Sequence, residues 1–408
     1  MTIRIPYAKA IHGPEEIQAV LEVLNTTTQM GRHVIDFESQ VAKLFSKSHG
    51  VMVNSGSSAN ILAVEILNLP KGGEVITPVL TFPTTVSPLV RSNLIPHFID
   101  ATPGTYLINH DLIEAAINKK TCALMIPNLI GNLADWPRLR KIADQYNLIL
   151  IEDSCDTLGA VLNNQPDGFY ADIVTTSFYG SHFINCAGNG GLLAMNNELL
   201  CERAKVLRSW GRYSSKFSNI QEAENIQNRF DNTDQSFAQS QASSYDKKFL
   251  FSGLGYNLEP SELGAAFGLE QLKRLNNFLE KRKNNFKKHQ AFFKKYEEIL
   301  YLPKPNPDGD FAWLSYPITL KSIAPHTRNN LQQYFESKGI QTRPVFTGNI
   351  LKQPAFSNIP RAGGDTFPVA DEVMEGGILL GCHPGLTDEM IEEMHDCFDQ
   401  WIQSGKIK

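Results

Sequence analysis

The sequence predicts an α/β protein in which a mostly parallel central sheet lies between helices and is followed by a smaller α+β domain. Strand-type and helix-type segments alternate along residues 50–177, which is the pattern of a parallel sheet. Several strand segments are apolar at nearly every position, as expected for strands covered on both faces. The 408 residues, 42% of them hydrophobic, suffice for two or three domains with apolar cores. We therefore expect a large domain at 1–275 and a small domain at 276–408.

The large domain begins with two segments whose apolar positions recur at helical spacing, at 14–24 and 33–45. A short β-type run at 50–54 leads through a turn of small residues into an apolar helix at 61–67. The remaining strand candidates are the runs at 74–77, 95–100, 122–127, 148–153 and 173–177.

A segment rich in Ser, Asn, Gln and Asp interrupts this pattern at 214–247, where we expect a surface loop or lid. Helical spacing resumes at 260–274 and continues in a basic helix at 279–295. The run at 311–318 predicts a strand of the small domain.

The composition excludes several classes of protein. The net charge of −5, with 20% charged residues, gives no basic footprint for nucleic acid. No apolar run has the length of a signal peptide or a membrane span. Six scattered cysteines without a CxxC pair predict neither a disulfide framework nor a metal site. We expect a cytoplasmic enzyme without nucleic-acid or membrane partners.

Small residues follow the strand at 50–54, in the run Ser55-Gly56-Ser57-Ser58-Ala59-Asn60. A turn of this kind at the start of a helix presents backbone N–H groups and the positive end of the helix dipole, which suits a phosphate. Serine is also common at an ordinary helix N-cap, so both interpretations stay open.

Asp153 ends the strand candidate at 148–153, at the edge where open α/β sheets bind ligands. A carboxylate there could keep a pyridinium nitrogen protonated. It could equally cap the next helix.

A histidine, His182, stands in a stretch without lysine, because the chain has none between Lys141 and Lys205. It follows Ser177-Phe178-Tyr179 and precedes Gly188-Asn189-Gly190-Gly191. Ser177 could donate its hydroxyl to a phosphate, and the glycines allow close backbone approach. A lone histidine is more often structural than catalytic, but here it accompanies a phosphate-type turn and a strand-end aspartate.

With these motifs the chain resembles the DegT/DnrJ/EryC/StrS family of nucleotide-sugar aminotransferases and dehydratases, which use pyridoxal phosphate (PLP). The resemblance covers nearly the whole chain and is closest to the sugar 3-dehydratases, whose Schiff-base lysine is replaced by histidine. It implies an aspartate-aminotransferase-like fold, called fold type I. The segments that carry it are 55–60, 81–86, 151–156, 177–182, 254–257 and 342–349.

The resemblance implies a pocket that holds PLP, or its amine form pyridoxamine phosphate (PMP), without a covalent anchor. The implied cofactor contacts are Gly56, Ser57 and Ser177 at the phosphate, Phe82 on the ring, Asp153 at the ring nitrogen and Asp156 near the ring hydroxyl. Asn257 would reach the phosphate of a partner subunit's cofactor, which implies a homodimer. One local departure is an extra residue in the run Ala187-Gly188-Asn189-Gly190-Gly191, where relatives usually read Gly-Glu-Gly-Gly.

The implied reaction removes the C3 hydroxyl of a nucleotide-linked 4-keto-6-deoxyhexose, as in deoxysugar and lipopolysaccharide O-antigen synthesis. His182 would act first as base and then as acid, which suits an imidazole with a pKa of about 6.5. Glutamate would regenerate PMP. Arg212 and Arg343 are candidates for the substrate diphosphate, because guanidinium groups match phosphate oxygens.

One branch of these dehydratases carries a [2Fe–2S] cluster on cysteines that follow a Trp-Gly-Arg motif. This chain keeps Trp210-Gly211-Arg212 but has no cysteine between Cys201 and Cys382, so we expect neither a cluster nor a dedicated reductase. The nucleotide stays open among GDP, CDP and TDP. Two alternatives also stay open: an aminotransferase with an atypical site, and a cofactor-binding relative without catalysis.

Overall fold

The computed structural model describes residues 3–216 and 245–405. Its helices are α1 (Pro14–Leu24), α2 (Arg32–Leu44), α3 (Gly56–Leu67), α4 (Pro83–Arg91), α5 (Ile113–Ala116), α6 (Trp136–Tyr146), α7 (Glu198–Arg208), α8 (Glu262–Phe293), α9 (Arg328–Ser337), α10 (Pro368–Gly376) and α11 (Asp388–Gly405). Its first nine strands are β1 (His49–Val53), β2 (Glu74–Pro78), β3 (Ile95–Ile99), β4 (Thr121–Pro127), β5 (Ile149–Asp153), β6 (Val161–Leu162), β7 (Gln165–Pro166), β8 (Ile173–Ser177) and β9 (Gly191–Met195). The remaining strands are β10 (Leu300–Tyr301), β11 (Gly309–Asp310), β12 (Tyr316–Leu320), β13 (Arg343–Pro344), β14 (Ala362–Gly363) and β15 (Gly377–Leu380).

An eight-stranded sheet forms the centre of the protein, in the order β1-β9-β8-β5-β4-β2-β3-β14. All neighbours from β8 to β14 run parallel, and only β9 runs antiparallel to both of its neighbours. The predicted mostly parallel sheet between helices, with the fold type I arrangement, is confirmed. The five apolar strand candidates from β2 to β8 are strands, and β2 and β9 are buried at every position.

The small domain contains an antiparallel sheet of four strands in the order β10-β12-β15-β13. Its apolar core packs this sheet against α9 and α11, with Phe335, Phe398 and Trp401 fully buried. A third, three-stranded sheet of β11, β6 and β7 lies at the side of the large domain.

One continuous helix, α8, covers the helical spacing predicted at 260–274 and 279–295, and residues 275 and 276 lie within it. One sequence prediction near this domain needs correction. The strand predicted at 311–318 begins only at Tyr316. Residues 311–315 cross towards the large domain instead, where the Leu314 N–H donates to the Ile130 carbonyl at 2.8 Å.

Most of the polar segment predicted as a surface loop, residues 217–244, lies outside the described residues. Within 3–216 and 245–405, no helix combines the length and apolar character needed to cross a membrane. The same residues contain no group of three or more His, Cys, Asp or Glu side chains suited to a metal ion.

Candidate active site

A cavity of about 320 Å³ opens at the edge of the large sheet where β1, β4, β5 and β8 end. The carboxyl ends of parallel strands are where open α/β sheets bind ligands. Seven of the residues proposed from the sequence line this cavity, namely Gly56, Ser57, Phe82, Asp153, Asp156, Ser177 and His182. The fold therefore brings together residues that lie up to 126 positions apart in the chain, since Gly56 and His182 both line the cavity.

The turn at Ser55, between β1 and α3, forms one end of the cavity. Ser55 is the N-cap of α3, and its Oγ accepts a hydrogen bond from the Ser58 N–H at 3.2 Å. The helix offers no carbonyl to the N–H groups of its first residues, Gly56 and Ser57. Ser177, at the end of β8, faces this turn. The arrangement is a helix N-terminus with an adjacent hydroxyl, which is suited to a phosphate.

Two glycines make this end of the cavity possible. A Cβ atom on Gly56 would lie 2.6 Å from the Cβ of Ser177. A Cβ on Gly191, the first residue of β9, would lie 2.2 Å from the carbonyl carbon of Ser55. Any side chain at either position would therefore push the Ser55 turn away from β8 or β9.

Asp153 ends β5 on the floor of the cavity and is 5% exposed. Its Oδ2 accepts hydrogen bonds from Asn60 Nδ2 at 2.8 Å and Thr85 Oγ1 at 2.7 Å. Its Oδ1 accepts one from the Cys155 N–H at 3.2 Å. Three donors hold the carboxyl group in one orientation, so its oxygen atoms occupy a defined place on the cavity floor.

Asp156 presents a second carboxyl group to the cavity, in a different environment. Its Oδ2 accepts one hydrogen bond, from the Ile130 N–H at 2.9 Å. Burial raises the pKa of Asp156 to about 7, and the nearby charge of Asp153 acts in the same direction. Near neutral pH this group can therefore either donate or accept a proton.

His182 lies in the loop between β8 and β9, and its ring faces the cavity. Its Nδ1 is 2.6 Å from the carbonyl oxygen of Cys155. Because a carbonyl only accepts, the neutral ring carries its proton on Nδ1 and has its lone pair on Nε2. Burial lowers the pKa of His182 to about 4, so the ring is neutral at physiological pH. The pKa near 6.5 expected from the sequence is thus wrong for this structure, and desolvation is the main reason.

The residues after His182 form a tight turn, in the run where the resemblance implies one extra residue. Ala187 and Gly188 both have positive φ, at 55° and 109°. The Gly180 N–H donates to the Gly188 carbonyl at 2.9 Å, which closes the loop beside the cavity. Asn189 lines the cavity next to this turn.

Two aromatic rings stand at the other side of the cavity. Phe82 is 47% exposed, and its ring contacts the ring of Phe346 edge-on, with centroids 5.7 Å apart. Phe346 has a φ of 42°, in the left-handed region that non-glycine residues seldom adopt. The neighbouring Thr347 Oγ1 donates to the Thr81 carbonyl at 2.6 Å, which ties the segment after β13 to the Phe82 loop.

Three other residues proposed from the sequence do not line the cavity of this chain. Asn257 is exposed and forms an isolated bridge with Ser209. The guanidinium of Arg212 lies 4.9 Å from the ring centroid of Trp210. That of Arg343 lies 5.6 Å from the ring centroid of Tyr7.

Several residues that shape the site were not predicted from the sequence. Asn60 and Thr85 belong to motifs noted in the sequence, but only the fold shows that both donate to Asp153. Phe346 lay inside the noted run at 342–349, and no local pattern indicated its positive φ. Arg282 of α8, discussed below, gave no signal because its partners are distant in the chain.

Lysine is missing from the described part of the cavity lining, where the side chains that could accept or donate a proton are those of His182, Asp153, Asp156, Cys155 and Tyr179. The cavity thus combines a helix N-terminus suited to a phosphate, a carboxyl group held by three donors, aromatic rings and an imidazole.

The sequence profile of the DegT/DnrJ/EryC1/StrS aminotransferase family matches residues 10–399. The chain belongs to this family. It is 35% identical to the lipopolysaccharide biosynthesis protein RfbH of Salmonella typhimurium, over 98% of this chain and 92% of that protein. It is 32% identical to the dTDP-4-dehydro-2,6-dideoxy-D-glucose 3-dehydratase of Saccharopolyspora spinosa, over 97% of this chain and 86% of that protein.

Among solved structures, it superposes on a GDP-4-keto-6-deoxymannose-3-dehydratase with a trapped PLP-glutamate geminal diamine. The TM-score is 0.86 at 27% identity, covering 97% of this chain and 100% of the other. The resemblance to the family and to its 3-dehydratases is confirmed. These relatives establish the chain as a family member related to PLP-dependent enzymes of nucleotide-sugar modification.

Proposed function

We propose that this protein catalyses the PMP- and PLP-dependent removal of the C3 hydroxyl from a nucleotide-linked 4-keto-6-deoxyhexose. The observation that carries the proposal is the imidazole of His182 in a cavity whose described lining has no lysine. A primary amine is needed to anchor PLP covalently, and imidazole cannot form that bond. The relatives named as 3-dehydratases support the same reaction class.

The residues of the cavity fit this cofactor. The N–H groups of Gly56 and Ser57, with the Ser177 hydroxyl, would hold its phosphate. Phe82 would cover the ring, and the Asp153 carboxylate would hold a proton on the ring nitrogen. Asp156 would face the ring hydroxyl. When bound, the cofactor supplies an amine for the sugar keto group and a conjugated ring that takes up electrons.

His182 would move the proton in this reaction. Cys155 fixes the ring through Nδ1, so Nε2 is the atom that accepts a proton. Because the ring is neutral at physiological pH, it is in the form that a base requires. The proton accepted on Nε2 would then go to the departing C3 hydroxyl, and the low pKa favours its release.

The cysteines argue for a reaction without an iron–sulfur cluster. All six are free thiols within the described residues, and four of them, Cys186, Cys201, Cys382 and Cys397, are buried. Only Cys155 lines the cavity among them. The product would therefore be released by hydrolysis to the 3-deoxy ketone and ammonia, with glutamate restoring the amine form of the cofactor.

We also propose that the active form is a homodimer in which Asn257 serves the cofactor of the partner subunit. Asn257 is exposed away from the cavity of its own chain. Its neighbours Phe251 and Leu254 are 53% and 99% exposed, which is unusual for apolar side chains and suits burial against a second copy. We further propose that Arg212 and Arg343 bind the substrate diphosphate.

The test is incubation of the protein with PLP, glutamate and a panel of GDP-, CDP- and TDP-linked 4-keto-6-deoxy sugars. Mass spectrometry should show a product that has lost one oxygen, at C3, without an added reductase. His182→Lys should reduce this product and favour amino transfer or covalent cofactor. Borohydride treatment of the wild-type protein should leave no cofactor bound to it. Unimpaired 3-dehydration by His182→Lys, or cofactor trapped on the wild-type chain, would overturn the proposal.

A further inference from the structure

Arg282, in the middle of α8, is a buried cation beside the candidate active site. It is 1% exposed, and the described residues place no carboxylate within ion-pair distance of it. Burying a guanidinium without a counter-charge is unfavourable, so such a residue calls for a specific reason. Burial lowers the pKa of Arg282 to about 10, which still leaves it charged at neutral pH.

The hydrogen bonds of Arg282 go to backbone carbonyls. Its Nη2 donates to the carbonyl of His182 at 3.2 Å, and its Nη1 donates to the carbonyl of Leu314 at 2.7 Å. Its guanidinium carbon lies 4.8 Å from the ring centroid of Phe183. The planar guanidinium therefore joins the His182 loop to the segment that enters the small domain.

The second of these bonds leads, through Ile130, to Asp156, another residue that lines the cavity. The Leu314 N–H donates to the Ile130 carbonyl, and the Ile130 N–H donates to Asp156 Oδ2. One guanidinium thus supports the backbone behind both groups proposed to exchange protons with the ligands, His182 and Asp156.

We propose that Arg282 is a positioning residue that holds the His182 loop in its reactive geometry and places a fixed positive charge behind the imidazole. This inference deepens the proposed function and rests on it. The charge of Arg282 disfavours a second positive charge on the ring and so favours its neutral, proton-accepting form. The other groups that face the ring are Asp153, the Cys155 and Ser177 carbonyls and the Tyr179 ring, and the carboxyl group of Asp156 lines the same cavity.

The chain offers a matched control on the same helix. Arg274 lies two turns earlier in α8, and its guanidinium carbon lies 5.2 Å from the ring centroid of Phe278. Its charged partner is the carboxylate of Glu16, at 2.9 Å, and its hydrogen bond goes to Glu16 and not to the His182 loop. Arg274→Met removes a helix arginine that packs on a phenylalanine, as Arg282→Met does, without touching His182.

The experiment measures the His182 ring pKa by NMR of histidine-labelled, cofactor-free protein, with the signal assigned from a His182→Asn variant. Arg282→Met should raise this pKa by about one pH unit, whereas Arg274→Met should leave it unchanged. Arg282→Lys keeps the positive charge, so the pKa of the His182 ring in this variant should stay near that of the wild type. The lysine lacks the planar guanidinium that donates to both backbone carbonyls. If Arg282→Met does not fold, unchanged turnover in Arg282→Lys overturns the proposal.

Turnover of the loaded enzyme gives the second measurement. Arg282→Met and Arg282→Lys should both lower kcat about tenfold with little change in KM, because the base is displaced and not the binding site. Lower thermal stability with unchanged kcat and ring pKa would show that Arg282 is only structural. If the wild-type protein shows no 3-dehydration, the proposed function fails, and the NMR measurement still decides whether Arg282 controls the imidazole.

Discussion

Two buried histidines, His182 beside the cavity and His289 in the small-domain core, show why a lowered pKa does not by itself identify a catalytic group. Burial lowers the pKa of His182 to about 4 and that of His289 to about 3. In His289 both ring nitrogens are used, since Nε2 donates to the Gly381 carbonyl and Nδ1 accepts from His395 Nε2, each at 3.0 Å. The His182 ring places Nδ1 2.6 Å from the Cys155 carbonyl oxygen, and, unlike His289, it borders a cavity.

The surroundings of the two rings differ in the same way. His289 is 0% exposed and packs against the rings of Phe293 and Tyr316, while Phe292 stacks on His395 with centroids 3.9 Å apart. The comparison predicts that His182 contributes to turnover and His289 to stability. Substitutions at and around the two histidines test these two roles.

The largest expected effect is that of His182→Asn on turnover. Removing a base that transfers the proton should lower kcat for 3-dehydration by about 10³-fold, with little change in the unfolding midpoint. Mass spectrometry of the product measures kcat, and urea unfolding measures the midpoint. If His182→Asn also lowers the unfolding midpoint markedly, the proposed difference in role between His182 and His289 is contradicted.

His289→Leu should have the opposite effect. It leaves the Gly381 carbonyl and the His395 nitrogen without their partner in the core, which should cost about 2–3 kcal/mol of unfolding free energy. At temperatures well below its melting transition, the variant should keep the wild-type kcat. Urea unfolding and the same product assay check both outcomes, and a large fall in kcat would contradict the structural assignment.

The third prediction concerns pH. The folded-state pKa of His289 lies below its unfolded value of about 6.5, so its contribution to stability is complete above that pH. The contribution is lost as pH falls towards 3, because the unfolded chain binds the proton first. Between pH 4 and 6.5, wild-type stability should therefore rise with pH more steeply than that of His289→Leu, by about 1.4 kcal/mol per pH unit.

The pH comparison must be made between the two proteins and not on the wild type alone. Burial raises the pKa of both Glu152 and Asp156 to about 7, and these carboxyls make stability fall as pH rises from about 4 to 7. Both proteins share that contribution, so it cancels in the difference. Equal slopes in urea unfolding across the window would contradict the prediction.

The smallest effect is expected at Thr85, one of three donors to Asp153. Thr85→Val removes a single hydrogen bond of 2.7 Å and should lower kcat about fivefold, since one such bond contributes about 1 kcal/mol. Thr81→Val is the matched control, because the Thr81 hydroxyl is buried without a hydrogen-bond partner. A loss of activity in the Thr81 variant equal to that in Thr85→Val would show that the effect is not specific to Asp153.

Much of the fold and part of the site follow from local patterns. The apolar strands and the Ser55 turn could be predicted because burial on both faces and helix capping leave a signal within a few residues. The same holds for Asp153, which ends an apolar strand. The boundaries were less predictable: residues 311–315 read as a strand, but they contact the large domain before β12 begins.

The sequence by itself determined the fold class, the order of the motifs and the presence of His182 in a stretch without lysine, because each depends on residue type and short-range spacing. Only the tertiary structure decided what surrounds those residues: the three donors to Asp153, the lone pair on Nε2 of His182, and Arg282 behind its loop. The physical reason is that desolvation and hydrogen-bond direction depend on atoms that meet in space from distant parts of the chain. The pattern of neighbouring residues in the sequence does not specify those contacts.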